Sequence, residues 1–454
     1  MTQEDIPFLS ISEASLLIRK RKLSPVEITR AVLQRIDQVE PKIHAFITVM
    51  GESALVAAKV AEREIARGKY RGPLHGIPVG VKDTHYTKGI KTTAGTAVLA
   101  DFIPAFDATV VKRLKEAGAI ILGKTSLPEF SFSGFTPGTH NPWDLSRTPG
   151  GSSGGSAAAL AAGMVLGATG GDTSGSIRGP ATYCGVVGLK PSYGLVSRYG
   201  VTALSWTLDH VGPMTRTVAD NAIMLNVIAG YDPNDDSSVD FPVPNYVKLL
   251  KQRIKGLRMG IPRPSMLVGY HTDVLSSFHQ SLKIFKRLGV KVKEVDMPFI
   301  EVADAAQRII RISEASSYQE KFLKTRADKY GPSDVRREIE AGSLITAVQY
   351  LRAQKVRAAL MREMNKILLP VDVLLTPGKS EPAGEPQKAA VNLSRIFALF
   401  GLPALALPCG FSSSPPGLPL GLQIVARPFE EGIAYALGYA YQSVTDWHKR
   451  RPPI

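Results

Sequence analysis

The strongest constraint on how this chain can fold is a pair of glycine- and serine-rich runs that lie close together. The first run spans residues 150–156 and the second spans residues 170–176. Glycine permits close backbone approaches and dihedral angles that other residues avoid. The hydroxyl groups beside it can act as nucleophiles or as hydrogen-bond relays. A helix candidate at 156–162 and an apolar run at 164–169 join the two runs, which predicts that both loops meet at one site.

Three interpretations of the two runs compete. They could be flexible turns. They could form a phosphate-binding loop at a helix N-terminus, but that loop ends in Gly-Lys-Ser/Thr, and no lysine lies between Thr148 and Arg178. They could hold a serine nucleophile and an oxyanion hole of backbone N–H groups. The third interpretation needs a base, and a neutral lysine can serve where no histidine lies nearby.

A suitable lysine stands upstream, at the end of an apolar, strand-like run. Residues 77–81 lead directly to Lys82, and Asp83 follows it. Most lysines at strand ends are exposed to solvent. The two glycine- and serine-rich loops nevertheless favour a lysine that enters the interior and acts as a base.

With these residues the chain resembles the amidase signature family, whose members carry a serine, a second serine after a cis peptide bond, and a lysine. The resemblance covers the lysine strand, both loops, residues 180–191, and the C-terminal segments 401–403 and 417–423. Only the middle, roughly 251–390, is weakly matched. The resemblance implies an α/β fold with a large, mixed and twisted β-sheet that helices cover on both faces.

The resemblance also implies roles for individual residues. Ser176 matches the nucleophile, Ser152 the cis-serine and Lys82 the base. The spacing between the two serines matches the family motif and selects Ser152 over Ser153. Backbone N–H groups of four consecutive residues are expected to form the oxyanion hole: Thr173, Ser174, Gly175 and Ser176. The family usually has glycine where this chain has Ser174, so a hydroxyl and a Cβ are added near the oxyanion.

Further residues are expected to support this site or to bind substrate. Asp172 and Arg178 flank the nucleophile loop, and we expect them to form a charged pair in which the carboxylate accepts N–H bonds from the loop. Ser153 is expected to support the site structurally. Substrate contacts are predicted at three positions: Gly151, Phe132 and Val391.

The chain is long enough to bury a large core, with 454 residues of which 44% are apolar. No proline-rich or charged linker divides it, and helix followed by strand recurs, a pattern typical of an α/β fold. The sequence therefore predicts one amidase domain over residues 1–454. Its parts are N-terminal helices at about 9–67, a signature core at about 68–230, a variable substrate-entrance region at about 251–390, and a C-terminal return to the core at about 391–454.

The formal net charge of +15 could indicate an RNA or another acidic partner. The basic residues are dispersed, however, apart from a short cluster at 448–451. Dispersed charge favours a solvated basic surface. A nucleic-acid partner is therefore not expected, and the predicted partner is a small amide or carbamate substrate of a monomer or homodimer.

Cysteine usage and the N-terminal sequence predict a cytoplasmic protein. Cys184 and Cys409 are far apart and lie in apolar contexts, which is typical of a reducing compartment and of neither a disulfide framework nor a metal site. No cofactor is expected. The first ten residues lack the pattern of a signal peptide. No apolar run reaches the length of a membrane span, so no membrane contact is expected.

Within the family, the segments 197–200 and 445–452 resemble the A subunit of the glutamine-dependent aminoacyl-tRNA amidotransferases. Two departures argue against that function. The middle region is shorter, and the acidic residue that recognises the glutamine amine falls at Val391, which cannot pair with an ammonium group. The neighbouring residues 396–400 are apolar, which favours an uncharged, partly apolar substrate.

The predicted function is therefore that of a stand-alone amidase. It would cleave a C–N amide bond, including that of an aryl amide or a carbamate, through an acyl-enzyme on Ser176. The alternative is the glutamine-hydrolysing A subunit of an aminoacyl-tRNA amidotransferase. A binding protein on an inactive scaffold is disfavoured because the set of Lys82, Ser152 and Ser176 is complete.

Overall fold

The computed structural model describes residues 2–331, 334–385, 392–415 and 417–454. Within these ranges the strands are β1 (Phe46–Val49), β2 (Pro78–Lys82), β3 (Ile120–Thr125), β4 (Gly167–Asp172), β5 (Val187–Lys190), β6 (His210–Thr215), β7 (Arg258–Pro262), β8 (Lys291–Val295), β9 (Val373–Pro377), β10 (Ala404–Phe411) and β11 (Pro419–Ala426). The α-helices are α1 (Ile11–Arg19), α2 (Pro25–Ile43), α3 (Gly51–Ala66), α4 (Thr109–Glu116), α5 (Gly154–Ala161), α6 (Arg178–Cys184), α7 (Val218–Ile228), α8 (Tyr246–Leu249), α9 (Thr272–Arg287), α10 (Ile300–Arg326), α11 (Val335–Gly342), α12 (Ala347–Leu368), α13 (Leu393–Leu399) and α14 (Glu431–Ser443).

The strands form one mixed sheet in the order β1-β3-β2-β4-β6-β5-β10-β11-β9-β7-β8. Strand β2 pairs in parallel with β3 and β4, whereas β4 pairs antiparallel with β6. At the far edge, β7 pairs in parallel with β8 and β9. Helices cover both faces of the sheet. The α/β fold with a large mixed sheet is therefore confirmed.

Local signals set the first two helices. Ser10 and Glu13 form a capping box at the start of α1, and Ser24 and Glu27 form another at the start of α2. In each box the serine accepts a backbone N–H of the first turn and the glutamate side chain reaches back to the cap residue. Proline at the first position of α2 has a φ angle that its ring fixes close to the helical value. Both helix starts agree with the sequence pattern.

The centre of the sheet brings the two glycine- and serine-rich loops together. Strands β2 and β4 are parallel neighbours, so their carboxyl ends, Lys82 and Asp172, lie at the same edge of the sheet. Helix α5 begins directly after the first loop, and all of its small side chains are buried. Such an edge, where strands deliver side chains into a crevice, is where ligands bind in open α/β sheets.

Both cysteines are buried and unpaired. Burial raises the pKa of the Cys184 and Cys409 thiols above the ordinary value, so neither is a reactive thiolate at neutral pH. Across the described ranges, no helix combines the length and the apolar character that crossing a membrane requires.

Candidate active site

A buried lysine contacts two consecutive serines where β2 ends. Lys82 Nζ lies 2.7 Å from Ser152 Oγ and 3.2 Å from Ser153 Oγ. The peptide bond between Gly151 and Ser152 is cis. Ser153 Oγ also bridges the backbone N–H and carbonyl of Gly171, at 3.2 Å each, which ties the first loop to β4. The structure thus brings Lys82 into direct contact with the first loop.

The environment of Lys82 favours its neutral form. Its side chain is only 1% exposed, and burial lowers the pKa of Lys82 to about 7. The carboxylates of Asp172 and Asp209 raise the pKa and partly oppose this effect. The neighbouring Asp83 instead lies 3.2 Å from Lys124, so it does not hold a proton on Lys82. At neutral pH a large fraction of Lys82 is therefore able to accept a proton.

Two histidines lie near Lys82 but are held by backbone carbonyl groups. His85 Nδ1 is 3.1 Å from the Lys82 carbonyl oxygen, and burial lowers the pKa of His85 to about 3. His210 Nδ1 is 2.7 Å from the Leu208 carbonyl oxygen, and burial lowers its pKa well below the ordinary value. Neither histidine contacts a serine of the two loops among the described residues. Lys82 is therefore the base that the geometry favours.

The nucleophile loop between β4 and α6 is tied together by one carboxylate. Asp172 accepts the N–H groups of Gly175 at 2.8 Å and Ile177 at 3.1 Å. It also accepts two bonds of 3.0 Å from Arg178, and both side chains are fully buried. Burial alone would raise the pKa of Asp172, but the ion pair with Arg178 outweighs burial and holds the pKa below its ordinary value. The pair has the arrangement expected from the sequence.

Replacing Arg178 by methionine should strongly destabilise the fold, because it leaves the Asp172 carboxylate buried without a counter-charge. We expect the free energy of unfolding to fall by about 3–5 kcal/mol, measured by denaturant titration. Arg258→Met is the matched control, because Arg258 forms a largely exposed pair with Asp372 at 2.7 Å. That variant should lose no more than about 1 kcal/mol. Equal losses in the two variants would contradict a special role of the buried pair.

Ser176 follows the loop and is half-buried. Its backbone carbonyl accepts the Ser153 N–H at 3.1 Å, whereas its hydroxyl makes no hydrogen bond within the described residues. Gly175 has a φ of +116°, and a Cβ there would lie 2.9 Å from the Ser394 Cβ, so only glycine fits. The N–H groups of Ser174 and Ser176 donate to no acceptor in this part of the structure. They are available to bind an oxyanion.

The other side of the loop is anchored by residues that the sequence did not single out. Thr173 Oγ1 donates to Asp209 at 2.6 Å. Asp209 also accepts the N–H groups of Leu204 and Ser205 at 2.8 and 2.9 Å. Ser174 Oγ accepts a bond of 2.7 Å from Gln307 of α10. The N–H of Gly175 donates to Asp172 and is therefore not free to bind an oxyanion. The oxyanion roles assigned to the other loop residues stay predictions.

A cavity of about 280 Å³ opens above the lysine–serine contact. Its size is near the lower end for small-molecule sites, which suits a compact substrate. Its wall includes four charged residues beyond the loops: Arg198, Asp209, Asp235 and Asp236. Apolar side chains line the cavity as well, among them Val201, Leu204 and Trp206. The expected partly apolar wall is therefore present, and charged groups are added to it. The apolar run 396–400 does not supply that wall, because Ile396 and Phe397 are fully buried in the main core.

The three residues predicted to contact substrate are placed differently. Phe132 is buried in an apolar cluster, with the Arg311 guanidinium 4.7 Å from its ring centre. Gly151 packs against the backbone of the preceding segment at 134–135, since a Cβ there would lie 2.7 Å from the Phe135 nitrogen. Val391 lies outside the described residues. Substrate contact at these positions stays a prediction. In the described part of the chain, no three His, Cys, Asp or Glu side chains converge as metal ligands would.

Comparison with known proteins identifies the family. A family model described as Amidase matches residues 27–433. The chain belongs to the amidase family. Among amidase-family relatives, the A subunit of glutamyl-tRNA(Gln) amidotransferase from Carboxydothermus hydrogenoformans is 41% identical over 488 aligned positions, which cover 99% of this chain and 100% of that protein.

Two solved amidase-family structures show the same fold over nearly the full length. The A subunit of glutamyl-tRNA(Gln) amidotransferase from Thermotoga maritima is 35% identical, with a TM-score of 0.80, and 97% of this chain and 96% of that chain are covered. Peptide amidase of Stenotrophomonas maltophilia is 31% identical, with a TM-score of 0.88 and 98% of each chain covered. The fold is therefore shared by proteins that are named for two different activities.

These comparisons overturn the predicted stand-alone amidase. Amidase-family relatives that match the chain from end to end are named as subunits of a glutamyl-tRNA(Gln) amidotransferase, which supports the alternative function better. The predicted partners are wrong for the same reason, because one subunit of an enzyme named for a tRNA substrate is neither a solitary monomer or homodimer nor limited to small molecules. The error came from treating Val391 as decisive, and a dispersed positive charge does not exclude a tRNA-dependent assembly.

Proposed function

We propose that this chain is the glutamine-hydrolysing A subunit of a glutamyl-tRNA amidotransferase. The observation that carries the proposal is the buried contact of 2.7 Å between Lys82 and Ser152, in a chain that matches such subunits along its whole length. The contact places Lys82 beside a serine, and burial lowers the pKa of Lys82 to about 7, so a large fraction of this base is neutral at physiological pH. The relatives indicate which amide is cleaved.

The first half of the reaction forms an acyl-enzyme. Ser176 attacks the side-chain amide carbonyl of glutamine and passes its proton to Ser152, whose own proton moves to neutral Lys82. The N–H groups of Ser174 and Ser176, which are free of other acceptors in the described residues, stabilise the oxyanion. The proton then returns through Ser152 to the leaving nitrogen, which departs as ammonia.

The second half regenerates the enzyme. Water attacks the glutamyl ester on Ser176, with Ser152 and Lys82 again taking the proton. The oxyanion is held as before, and the ester oxygen of Ser176 regains its proton as glutamate leaves. The two halves together convert glutamine and water into glutamate and ammonia. No organic cofactor is required by either half.

The charges around the cavity support an amino acid as substrate. Glutamine carries an ammonium and a carboxylate group, and the wall offers both signs, with Arg198 as the cation and Asp235 and Asp236 as the carboxylates. Arg198 Nη2 and the Asp235 carboxylate lie 3.6 Å apart. Arg198 also donates to Ser237 and to the Trp206 carbonyl, and Asp235 accepts from Ser237. A carboxylate supplied from this wall removes the objection that rested on Val391.

We further infer that the chain acts as one domain in the cytoplasm. Strands from the N-terminal part, the signature core, the middle region and the C-terminal part share a single sheet. The two unpaired, buried cysteines fit a reducing compartment.

The proposed function predicts a strong preference for glutamine over an apolar amide. Butyramide matches the acyl part of glutamine but lacks the ammonium and carboxylate groups. We expect kcat/KM for L-glutamine to exceed that for butyramide by at least about 100-fold, because butyramide has no group that pairs with the charged residues of the cavity wall. Ammonia release is measured with the purified chain, on its own and together with its companion proteins. Butyramide hydrolysis as fast as glutamine hydrolysis would contradict the proposal.

A further inference from the structure

One buried side chain of α10, Gln307, contacts the nucleophile loop. Its Nε2 lies 2.7 Å from Ser174 Oγ and 3.3 Å from the Thr173 carbonyl oxygen. Because a carbonyl oxygen only accepts hydrogen bonds, the group that faces Thr173 must be the NH2 end of the amide. This contact fixes the orientation of the amide, which therefore donates one hydrogen to each partner.

Holding the Thr173 carbonyl also fixes the direction of an oxyanion donor. The peptide between Thr173 and Ser174 is planar and trans, so its N–H points opposite to its carbonyl. The carbonyl is bonded to Gln307, and the Ser174 N–H is therefore directed away from α10. Asp209 holds the Thr173 side chain from another direction, at 2.6 Å. The peptide plane is thus held at both its carbonyl and the adjoining side chain.

Only one end of the Gln307 amide is satisfied, the NH2 group that donates to Ser174 and Thr173. Gln307 is fully buried, and its Oε1 atom accepts no hydrogen bond among the described residues. A buried acceptor without a partner destabilises the folded state. An apolar side chain of the same length would avoid that cost. Polar groups that oppose stability are expected where function requires them.

The partner of Gln307 is the one loop residue that departs from the family motif. Ser174 stands where the family usually has glycine, and its hydroxyl has Gln307 as its bonding partner in the described structure. A serine has less backbone freedom than glycine. The bond to Gln307 therefore anchors an added side chain that would otherwise be free to move beside the oxyanion.

We propose that Gln307 is a positioning residue for the oxyanion hole, acting through the Thr173 carbonyl and the Ser174 hydroxyl. The inference rests on the proposed function, in which the Ser174 N–H binds the oxyanion. Gln307 itself does not touch the substrate. Its effect is on the rate of the step in which negative charge develops, rather than on binding of the ground state.

The test replaces Gln307 by methionine, which has the same length and no polar hydrogen. We expect kcat for glutamine to fall by about tenfold to a hundredfold, with little change in KM. Tm should fall modestly, because the bonds to Ser174 and Thr173 are lost. Gln319→Met is the matched control, because Gln319 is another buried glutamine of α10 that bonds Tyr330 instead of the loop. Its kcat should match that of the wild type.

A double variant tests the route through Ser174. Ser174→Gly combined with Gln307→Met should lose no more kcat than Gln307→Met alone, because the two residues act through one contact. Ser174→Gly alone should also lower kcat, because it removes the hydroxyl that Gln307 holds. A double-variant loss equal to the product of the two single losses, or a wild-type kcat in Ser174→Gly, would overturn the coupling. A wild-type kcat in Gln307→Met, or the same loss in Gln319→Met, would overturn the positioning role.

A second readout separates this inference from the proposed function. A fluorophosphonate probe reacts with a nucleophilic serine as fluoride leaves, and its phosphoryl oxygen needs the same N–H donors. If the wild type is labelled but releases no ammonia from glutamine, the proposed function fails. The labelling rate then carries the test, and it should fall in Gln307→Met by the same tenfold or more. An unchanged labelling rate would overturn the inference.

Discussion

Replacing Ser176 by alanine is expected to abolish glutamine hydrolysis, with kcat falling by about 10⁶-fold, as is typical when a catalytic serine is removed. The Ser176 hydroxyl makes no hydrogen bond in the described residues and is half-buried beside two free N–H groups. Its removal should therefore leave the fold intact, with unchanged circular dichroism and Tm. The measurement is ammonia release under saturating glutamine.

The two serines of the first loop provide a matched pair for this experiment. Ser152→Ala removes the hydroxyl that lies 2.7 Å from Lys82, and we expect a loss of similar size to that of Ser176→Ala. Ser153→Ala removes a hydroxyl at 3.2 Å that mainly ties the loop to Gly171, so the loss should be about a hundredfold or less. Mass spectrometry after fluorophosphonate treatment should place the adduct on Ser176. An adduct on Ser152 or Ser153 would reverse the assignment of the nucleophile.

Residues close together in sequence made the centre of the site predictable. Lys82 ends an apolar strand, and the two loops flank one helix and one strand, so the topology brings them to one edge of the sheet. The caps of α1 and α2 were also visible, because a capping box is formed within four residues. In both cases the signal and its partner lie in the same short segment.

Helix α10 could not be predicted in this way. Its buried face carries polar residues where an amphipathic pattern would place apolar ones, among them Asp304, Gln307 and Glu314. Each of these bonds a group that is distant in sequence: Arg395 for Asp304, Ser174 for Gln307 and Thr207 for Glu314. A buried helix face is recognised in a sequence by its apolar periodicity, which these polar residues interrupt. Their burial is understood only once their partners are known.

The charged part of the cavity wall was missed for a related reason. Its charged wall comes from residues 198–209 and 234–236, which the sequence does not connect with the two loops. The apolar run 396–400 is close to the family's substrate position in sequence but packs into the main core. The prediction of the substrate therefore gave too much weight to Val391, because only the folded chain brings the charged residues to the site.

The pH dependence of glutamine hydrolysis should follow the ionisation of Lys82. In water a lysine titrates near 10.4, so the rate would still be rising above pH 10 if Lys82 were exposed. Burial lowers the pKa of Lys82 to about 7. Because only the neutral amine accepts the proton, kcat/KM should rise with pH through about 7 and level off on the alkaline side. Below the midpoint, the rate should fall about tenfold for each pH unit.

Two substitutions of Lys82 and one of a neighbouring histidine test whether this rise of kcat/KM with pH is caused by the ionisation of Lys82. Lys82→Ala removes the base, and Lys82→Arg keeps a side chain that stays protonated, so both should lose at least about 10⁴-fold in kcat/KM. His85→Asn is the matched control. It removes a histidine that contacts the Lys82 carbonyl and whose pKa of about 3 lies far below the midpoint of the pH profile. Its midpoint should remain near 7. Near-normal activity in Lys82→Arg would contradict Lys82 as the group that takes the proton. Loss of the pH-dependent rise in His85→Asn would assign that proton to the histidine instead.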